Sequence, residues 1–332
     1  MTPVLSDSYG RVATDLRVSL TDRCNLRCTY CMPPEGLEWL PKPELLTDDE
    51  VVRLVRIGVT LLGIREVRFT GGEPLLRRGL PGIVAATTAL APRPKTALTT
   101  NGIGLARVAP ALAEAGLDRV NVSLDTLDPE VFEKLARRRR LDDVLEGLAG
   151  AARAGLTPVK VNAVLMRGVN DHEAVDLLGY CLEHGYRLRF IEQMPLDAQH
   201  GWRREDMVTA DEILERLSDA YDLTPVDAAE RGSAPAEEFS VDGGPATVGV
   251  IGSVTRPFCG ACDRVRLTAD GQVRNCLFAR EESDLRGPMR AGADDAEIAE
   301  RWRAAVAAKL PGHGIDNPEF LQPTRPMSAI GG

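Results

Sequence analysis

Six strand-like segments, each followed by a helix-like segment, recur along most of the chain, and this repetition is the strongest constraint on its fold. The strands are predicted at residues 15–21, 66–72, 96–102, 119–125, 158–166 and 187–194. Helical patterns occupy residues 47–62, 105–115, 141–154, 171–184 and 210–217. Repeated strand–helix units predict a parallel sheet covered by helices.

The predicted strands alternate polar and apolar residues, whereas parallel strands covered on both faces are typically apolar throughout. In the first strand Asp15, Arg17 and Ser19 share one face, and Leu16 and Val18 share the other. An apolar face under the helices and a polar face on a roomy interior predict an α/β fold, an incomplete (βα)6 TIM-type barrel. A half-solvated open sheet is the alternative. It is less consistent with the number of helices, because these need either a ring of strands or two layers to cover.

The composition of the chain changes after the last of these units. We predict a barrel over residues 1–223, a linker or loop over 224–246 that is rich in Pro, Gly, Ala and acidic residues, and a smaller C-terminal region over 247–332 that closes the barrel. Within that region 247–254 resembles a strand and 296–310 a helix, and Asp270-Gly271 between two alternating runs predicts a hairpin.

Three cysteines follow the first strand in a C-x3-C-x2-C pattern: Cys24, Cys28 and Cys31. Three thiolates can hold three irons of a [4Fe–4S] cluster and leave the fourth iron free for another ligand. A structural zinc would take four protein ligands, and neither a histidine nor a fourth cysteine is close in sequence. The loop after a barrel strand is also where active sites are built.

A second group of three cysteines, Cys259, Cys262 and Cys276, lies in the C-terminal region. The predicted hairpin brings Cys276 back beside Cys262, so this group indicates a second [4Fe–4S] cluster with one open iron. A zinc ribbon, the alternative, would normally show a second C-x2-C pair. Cys181 stands alone in a helical pattern, and we predict a small buried apolar residue there.

Charge and segment composition restrict the class of partner. The first seven residues show no basic region followed by an apolar core, and no apolar run approaches the roughly 20 residues that a membrane helix needs. The net charge of −9 argues against a nucleic-acid partner. We therefore expect a cytoplasmic protein without membrane or nucleic-acid partners, in which clustered cysteines bind metal and do not form disulfides.

Basic residues recur on the polar strand faces, although such faces are predicted to line the barrel interior. They are Arg17, Arg68, Lys160 and Arg189, joined by the alternating pair Arg264 and Arg266 after the second cysteine pair. Burying many like charges without an anion is costly, and arginines bind phosphates with two hydrogen bonds. An anionic substrate such as a phosphorylated nucleotide is therefore expected, held by side chains because the chain has no P-loop motif.

The first cysteine group, with Tyr30 before its last cysteine, and the segment 70–74 (Thr-Gly-Gly-Glu-Pro) together resemble the radical S-adenosylmethionine (SAM) superfamily. By itself the second motif offers two glycines for close backbone approach and a carboxylate that can hold an amine, or simply a turn. The resemblance implies that the first cluster binds SAM through its open iron and that one-electron reduction yields a 5'-deoxyadenosyl radical. It places the SAM contacts at Tyr30, Gly72, Ser123 and Met194.

From about Asp15 to Gly332 the chain resembles the GTP 3',8-cyclase family, also called molybdenum cofactor biosynthesis protein A. The features that carry this resemblance are the two cysteine groups, the segment Arg264-Val265-Arg266 and the terminal Gly331-Gly332. The resemblance implies a lyase that converts GTP to (8S)-3',8-cyclo-7,8-dihydroguanosine 5'-triphosphate, with the second cluster on the guanine and all six cysteines catalytic. The implied GTP contacts are Arg17, Arg68, Thr99, Lys160, Arg189, Arg264 and Arg266. Gly331 and Gly332 would form a tail inserted toward the active site.

The same resemblance implies a downstream partner, cyclic pyranopterin monophosphate synthase, an unidentified one-electron reductant, and a monomer or homodimer. One position departs from the family: Glu66 stands where relatives commonly carry lysine, two residues before Arg68, and the adjacent Arg65 is expected to face the opposite way. Two alternatives remain open, a radical SAM enzyme that modifies a peptide and uses an auxiliary cluster, and a non-catalytic iron–sulfur or zinc regulator.

Overall fold

The computed structural model describes residues 4–227 and 231–331. All six predicted strands are confirmed: β1 (Asp15–Ser19), β2 (Glu66–Thr70), β3 (Lys95–Thr100), β4 (Arg119–Ser123), β5 (Lys160–Val164) and β6 (Arg187–Ile191). Each is parallel to the next in chain order. The predicted parallel sheet is therefore present, and each strand ends two or three residues earlier than the sequence pattern suggests.

The helices that follow these strands are α1 (Asp48–Leu62), α2 (Leu80–Thr88), α3 (Leu105–Glu114), α4 (Pro129–Ala136), α5 (Leu141–Arg153), α6 (Ala174–Glu183) and α7 (Ala210–Ser218). The start of α1 is fixed by a capping box, in which Thr47 Oγ1 accepts from the Glu50 amide and the Glu50 carboxylate accepts from the Thr47 amide. Gly63 ends this helix in the left-handed conformation. The sequence reading missed α2 and α4, which are short and begin with proline near the first turn.

The C-terminal region adds strands to both edges of this sheet. On one side lie β10 (Arg264–Leu267), parallel to β1, then β11 (Gln272–Arg274) and β12 (Ser283–Asp284). On the other lie β9 (Thr247–Ile251), parallel to β6, then β8 (Glu237–Val241) and β7 (Leu223–Pro225).

The full strand order is β12-β11-β10-β1-β2-β3-β4-β5-β6-β9-β8-β7. The predicted hairpin at Asp270-Gly271 is confirmed, since it joins the antiparallel strands β10 and β11. The partial barrel is also confirmed, but the twelve-stranded sheet is not closed. The C-terminal region extends the two edges of the barrel, and its strands do not join them into a ring.

Residues 224–246, predicted as a linker or loop, contain β8 and most of β7, so that prediction was wrong for these residues. In β8 the buried Phe239 and Val241 alternate with half-buried neighbours, and the strand pairs antiparallel with β9. The proline- and glycine-rich flanks concealed this short alternating run. Residues 228–230 of the same segment lie outside the described part of the chain.

The two faces of the barrel strands have the expected environments. On the outer face Val18, Phe69, Val122 and Phe190 are fully buried beneath the helices. Helix α8 (Arg286–Arg290) follows β12, and α9 (Asp295–Ala307) places the fully buried Trp302 beside α1, near Gly58. The chain ends on the short helix α10 (Met327–Ile330). Within the described residues no helix is long and apolar enough to span a membrane.

Candidate active site

The polar strand faces enclose two cavities, each lined by one group of three cysteines. The Cys24 cavity, of about 880 Å³, is lined by Cys24, Cys28 and Cys31. The Cys259 cavity, of about 1060 Å³, is lined by Cys259, Cys262 and Cys276. Both volumes include space open to solvent and are comparable to the roughly 300–1,000 Å³ of small-molecule sites.

The two cysteine groups lie at opposite ends of the barrel strands. Cys24 follows the carboxyl end of β1, whereas Cys262 precedes the amino end of β10, and these two strands are adjacent and parallel. Thr99 and Met327 line both cavities. The cavities therefore adjoin in the barrel interior, and a ligand in one can lie against a ligand in the other.

Three of the four predicted SAM contacts come together in the Cys24 cavity: Tyr30, Gly72 and Ser123 line it, but Met194 lines the Cys259 cavity. The Tyr30 hydroxyl donates to Asp125 Oδ2 at 2.6 Å. Burial raises the pKa of Asp125 to about 6, although hydrogen bonds from Tyr30 and the Val164 amide oppose the shift.

Sequence reasoning did not single out Asp125 as a site residue, although it also lines the Cys24 cavity. The signal that could have found it is its position two residues after Ser123, on the same predicted strand face.

The two glycines of segment 70–74 allow the cysteine loop to lie against the end of β2. A Cβ on Gly71 would be 2.4 Å from the Thr21 carbonyl oxygen, and one on Gly72 would be 2.3 Å from that of Arg23. The Gly72 amide donates to the Thr21 carbonyl at 2.7 Å. No side chain fits between these backbones, so glycine is required where the loop that carries Cys24 meets β2.

Glu73, for which the sequence left open an amine partner or a simple turn, is fully buried and bonded within the protein. It accepts from the Thr100 hydroxyl at 2.7 Å, from the Asn101 amide at 2.7 Å and from the Leu75 amide at 2.9 Å. Burial raises its pKa to about 7 despite these bonds. The carboxylate therefore fastens the end of β3 to the segment that follows β2.

The cysteines around the Cys24 cavity suit a cationic iron–sulfur cluster. Burial, followed by the nearby Cys31, raises the pKa of Cys28, and burial together with Cys24 raises that of Cys31 to about 12. Buried thiolates in such proximity repel one another, and bound cations remove that cost. The Leu26 amide contacts Cys24 Sγ at 3.4 Å, the kind of hydrogen bond that cluster sulfurs receive.

The geometry of both groups bears on the nature of the metal. In residues 4–227 and 231–331 no three histidine, cysteine or acidic side chains converge tightly enough to hold a single metal ion. A [4Fe–4S] cluster takes one thiolate on each of three irons, so its cysteines surround a space and do not meet at a point.

Lys309 is a buried neighbour of the second cysteine group that sequence reasoning missed. Its Nζ contacts Cys262 Sγ at 3.3 Å and donates to the carbonyls of Cys262 at 3.2 Å and Arg264 at 2.9 Å. Burial alone would raise the pKa of the Cys262 thiol, but the charges of Arg264 and Lys309 lower it overall. No local motif marks this lysine, which lies after α9 and far from the cysteines in sequence.

Six of the seven predicted GTP contacts line the Cys259 cavity: Arg17, Arg68, Thr99, Arg189, Arg264 and Arg266. Burial and neighbouring arginines lower the pKa of Arg189 to about 9 and that of Arg266 to about 10. Within the described part of the chain, the buried Nε atoms of Arg17, Arg68 and Arg189 have no hydrogen-bond partner. These observations describe a site built for an anion.

The seventh predicted contact, Lys160, opens β5 and lies outside the lining of the cavity. Burial and then Arg189 and Arg119 lower its pKa to about 8. His313 and Phe258 are lining residues that sequence reasoning missed. His313 donates from Nε2 to the Ser253 carbonyl at 3.1 Å, and the ring of Phe258 lies 4.6 Å from the Arg264 guanidinium carbon.

The C-terminal tail enters the barrel interior as expected for Gly331. Ser19 Oγ donates to the Ile330 carbonyl at 2.8 Å, and Arg266 donates to the Gly331 carbonyl. Gly331 has φ +87°, and a Cβ there would lie 2.1 Å from Ser19 Oγ, so only glycine fits. Gly332 lies outside the described residues.

Comparisons with known sequences agree with this arrangement. Residues 18–181 match the Radical SAM superfamily, and residues 186–315 match the family Molybdenum Cofactor Synthesis C. The chain is 70% identical to the GTP 3',8-cyclase of Streptomyces coelicolor, over 99% of this chain and 96% of that protein. It is 61% identical to GTP 3',8-cyclase 2 of Mycobacterium bovis, over 99% of this chain and 92% of that protein.

Among solved structures, the chain resembles Streptococcus suis SuiB bound to S-adenosylmethionine, with a TM-score of 0.60 and 14% identity. The match covers 93% of this chain and 69% of SuiB. At that identity the likeness concerns the fold alone, and it supports the partial barrel.

Proposed function

The chain belongs to the GTP 3',8-cyclase family of the radical SAM superfamily, and from this membership we propose that it converts GTP to (8S)-3',8-cyclo-7,8-dihydroguanosine 5'-triphosphate, the first step of molybdenum cofactor biosynthesis. The observation that carries the proposal is the junction of two cysteine-lined cavities at Thr99 and Met327, one backed by glycines and the other rich in arginine.

In the Cys24 cavity, Cys24, Cys28 and Cys31 would hold one [4Fe–4S] cluster beside SAM. Bound together and reduced by one electron, these cofactors supply a 5'-deoxyadenosyl radical. Gly72 would present its backbone to the methionyl group, and Ser123 and the Tyr30–Asp125 pair would present polar groups to SAM. Met194, on the other side of the junction, would contact SAM only where the cavities meet.

In the Cys259 cavity, Cys259, Cys262 and Cys276 would hold the second cluster next to the guanine. The buried guanidiniums would bind the triphosphate, since their free N–H groups and excess charge require an anion. Thr99, which lines both cavities, would lie near the ribose, where the hydrogen is removed. Arg264 and Arg266 would then bind phosphate or base close to the cysteines.

The enzyme would also depend on a downstream enzyme, an electron donor and a reducing compartment. The product would pass to cyclic pyranopterin monophosphate synthase, and a one-electron reductant would serve the first cluster. Six thiols reserved for metal binding suit the reducing cytoplasm, where we place the enzyme.

Anaerobic reconstitution with iron and sulfide, followed by incubation with SAM, reductant and GTP, tests the proposal. We expect about eight irons per chain, as two [4Fe–4S] clusters require, and a product with the mass of GTP that is formed together with 5'-deoxyadenosine. A protein with zinc and no iron, or one that cleaves SAM and alters a peptide but not GTP, would contradict it.

A further inference from the structure

A second set of charged residues lies next to the arginines of the Cys259 cavity, at the amino ends of the barrel strands. Glu66 is the first residue of β2, Arg119 the first of β4 and Lys160 the first of β5. The predicted contacts include Lys160 but neither Arg119 nor Glu66.

Glu66 joins Arg119 to a residue of the cavity lining. Its Oε1 accepts from Arg68 Nη2 at 2.9 Å and also from Arg119 Nη2. In the sheet register Arg68 pairs with Ala97, and Ala97 pairs with Arg119. Because the methyl group of Ala97 fills little space between them, the two guanidiniums can share one carboxylate across the intervening strand.

The shared carboxylate does not use all the donors of Arg119. Arg119 Nη1 is buried and has no hydrogen-bond partner in the part of the chain that the structure describes. Within the same described residues, the Nε atom of Arg68 is also buried and has no hydrogen-bond partner. An unpaired, buried guanidinium N–H costs free energy unless a ligand accepts from it.

The charges around this group do not balance. The acidic side chains near it are Glu66, Asp15 and Glu238, and the basic ones are Arg17, Arg68, Arg119, Lys160 and Arg189. Burial is the main reason why the pKa values of Arg68, Arg189 and Lys160 are lowered, and the charge of Arg119 lowers each further. The group therefore has an excess of positive charge, which a bound anion would neutralise.

We propose that Arg119, held in place by Glu66, is an additional binding residue for the 5'-triphosphate of the substrate. The inference rests on the proposed function, because it takes GTP as the ligand. The second cysteine group precedes β10, and Arg119 is on β4, four strands away in a sheet whose strands are about 4.8 Å apart. With the base at the cysteines, the part of GTP that reaches β4 is the end of the phosphate chain.

This assignment also gives Glu66 a function. Lysine at that position would contribute a cation directly from β2. Here the carboxylate brings in a guanidinium from β4, so the cation reaches the same region from a different strand. Glu66 is then a positioning residue that acts through Arg119.

The test compares binding of GTP, GMP and guanosine to the reconstituted protein, measured by calorimetry without reductant so that no turnover occurs. Arg119→Gln should weaken GTP binding by about tenfold or more, as expected for a lost charge-assisted hydrogen bond, weaken GMP binding less, and leave guanosine binding unchanged. Arg65→Ala is the matched control, because Arg65 is exposed and directly precedes β2. It should leave all three affinities as they are.

Two further variants separate a phosphate contact from a structural role. Arg119→Lys keeps a cation and should lose less GTP affinity than Arg119→Gln. If the glutamine variant folds poorly, Arg119→Lys is compared with the parent protein, and it should still bind GTP more weakly than the parent while binding guanosine equally well. In the Glu66→Lys/Arg119→Gln double variant, the lysine supplies the missing charge, and GTP affinity should partly return.

The outcomes are distinguishable. Unchanged GTP affinity in Arg119→Gln, or an equal loss for GTP, GMP and guanosine, would overturn the assignment of Arg119 while leaving the cyclase activity of the parent protein intact. A parent protein that binds GTP no better than guanosine, and makes no cyclised product from it, would overturn the proposed function together with this inference.

Discussion

At the scale of single residues, the site depends on buried charges whose partners come from distant parts of the chain. Cysteine spacing and alternation along a strand are local patterns, so the sequence predicted both cysteine groups, and six of the seven predicted GTP contacts line the Cys259 cavity. By contrast, Lys309 contacts Cys262, and Arg119 contacts Glu66, although the two residues of each pair are far apart in sequence. No local pattern encodes such contacts, and this is why these residues were missed.

Glu73 belongs to a recognisable motif, but its side chain turns into the protein and bonds there. Replacing it with glutamine leaves one acceptor oxygen for three donors and places an NH2 group against them. We expect Glu73→Gln to destabilise the protein by about 1–3 kcal/mol, the usual cost of an unsatisfied buried polar group. Thermal or denaturant unfolding of the apoprotein measures this.

The cost of Glu73→Gln should also depend on pH. The pKa of Glu73 is about 7 in the folded protein, above its value of 4.5 in the unfolded chain, so between these pH values the native state binds more protons. The contribution of Glu73 to stability is therefore fully present below pH 4.5 and is lost as the pH rises through about 7. Glutamine does not titrate, so the stability difference between the parent and the variant should shrink over this range. A difference that grows with pH would contradict this explanation.

At the scale of elements, the sequence predicts strands where polar and apolar residues alternate over a long run. It misses strands where such a run is short. Buried residues such as Val18 and Val122 alternate with cavity residues over the whole of β1 and β4, which gives a clear signal. The strand β8 is as long as β1 and β4, but its alternation is confined to Phe239, Ser240 and Val241, and proline and glycine flank it. Helix α2 carries Pro81 and Gly82 in its first turn. Those elements form because β9 and β3 offer them a surface, which is tertiary information.

The contact between the end of β2 and the first cysteine loop gives a test at this scale. A Cβ at position 72 would lie 2.3 Å from the Arg23 carbonyl oxygen and 2.4 Å from that of Asp22, so Gly72→Ala must displace the loop before Cys24. We expect the variant to lose iron from the first cluster only, and with it SAM cleavage. Iron analysis and electron paramagnetic resonance after reconstitution measure the effect.

Gly82→Ala is the control for this experiment, because Gly82 lies in α2 and a Cβ there meets nothing within 4 Å. It should retain both clusters. If Gly72→Ala also retained both clusters and normal SAM cleavage, close backbone contact would not be what this position requires.

At the scale of the whole molecule, the tail connects the two ends of the barrel interior. Met327 lines both cavities, Ser328 lines the Cys24 cavity, and the Gly331 carbonyl accepts from Arg266 in the Cys259 cavity. The tail can therefore couple radical formation at one end to substrate binding at the other, although it holds no cysteine.

Gly331→Ala tests this coupling. A Cβ at Gly331 would collide with Ser19 Oγ, so the tail must withdraw and the Arg266 contact is lost. We expect both clusters to assemble and SAM to be cleaved, but much less cyclised GTP per 5'-deoxyadenosine formed. Gly292→Ala is the control, because Gly292 also has a positive φ (+96°) while a Cβ there meets nothing within 4 Å. An unchanged product ratio in Gly331→Ala would argue against coupling through the tail.

The separation of the two cysteine groups predicts two different kinds of loss. Because Cys24 and Cys276 line different cavities, replacing either with alanine should leave the other cluster site intact. Cys24→Ala should abolish SAM cleavage and hence all product, whereas Cys276→Ala should impair GTP cyclisation and leave some uncoupled SAM cleavage. Cys181→Ala is the control, since that buried thiol lies in α6, away from both cavities. Normal cyclisation by Cys276→Ala would show that the second group does not position the base, and the arginines alone would then have to orient GTP.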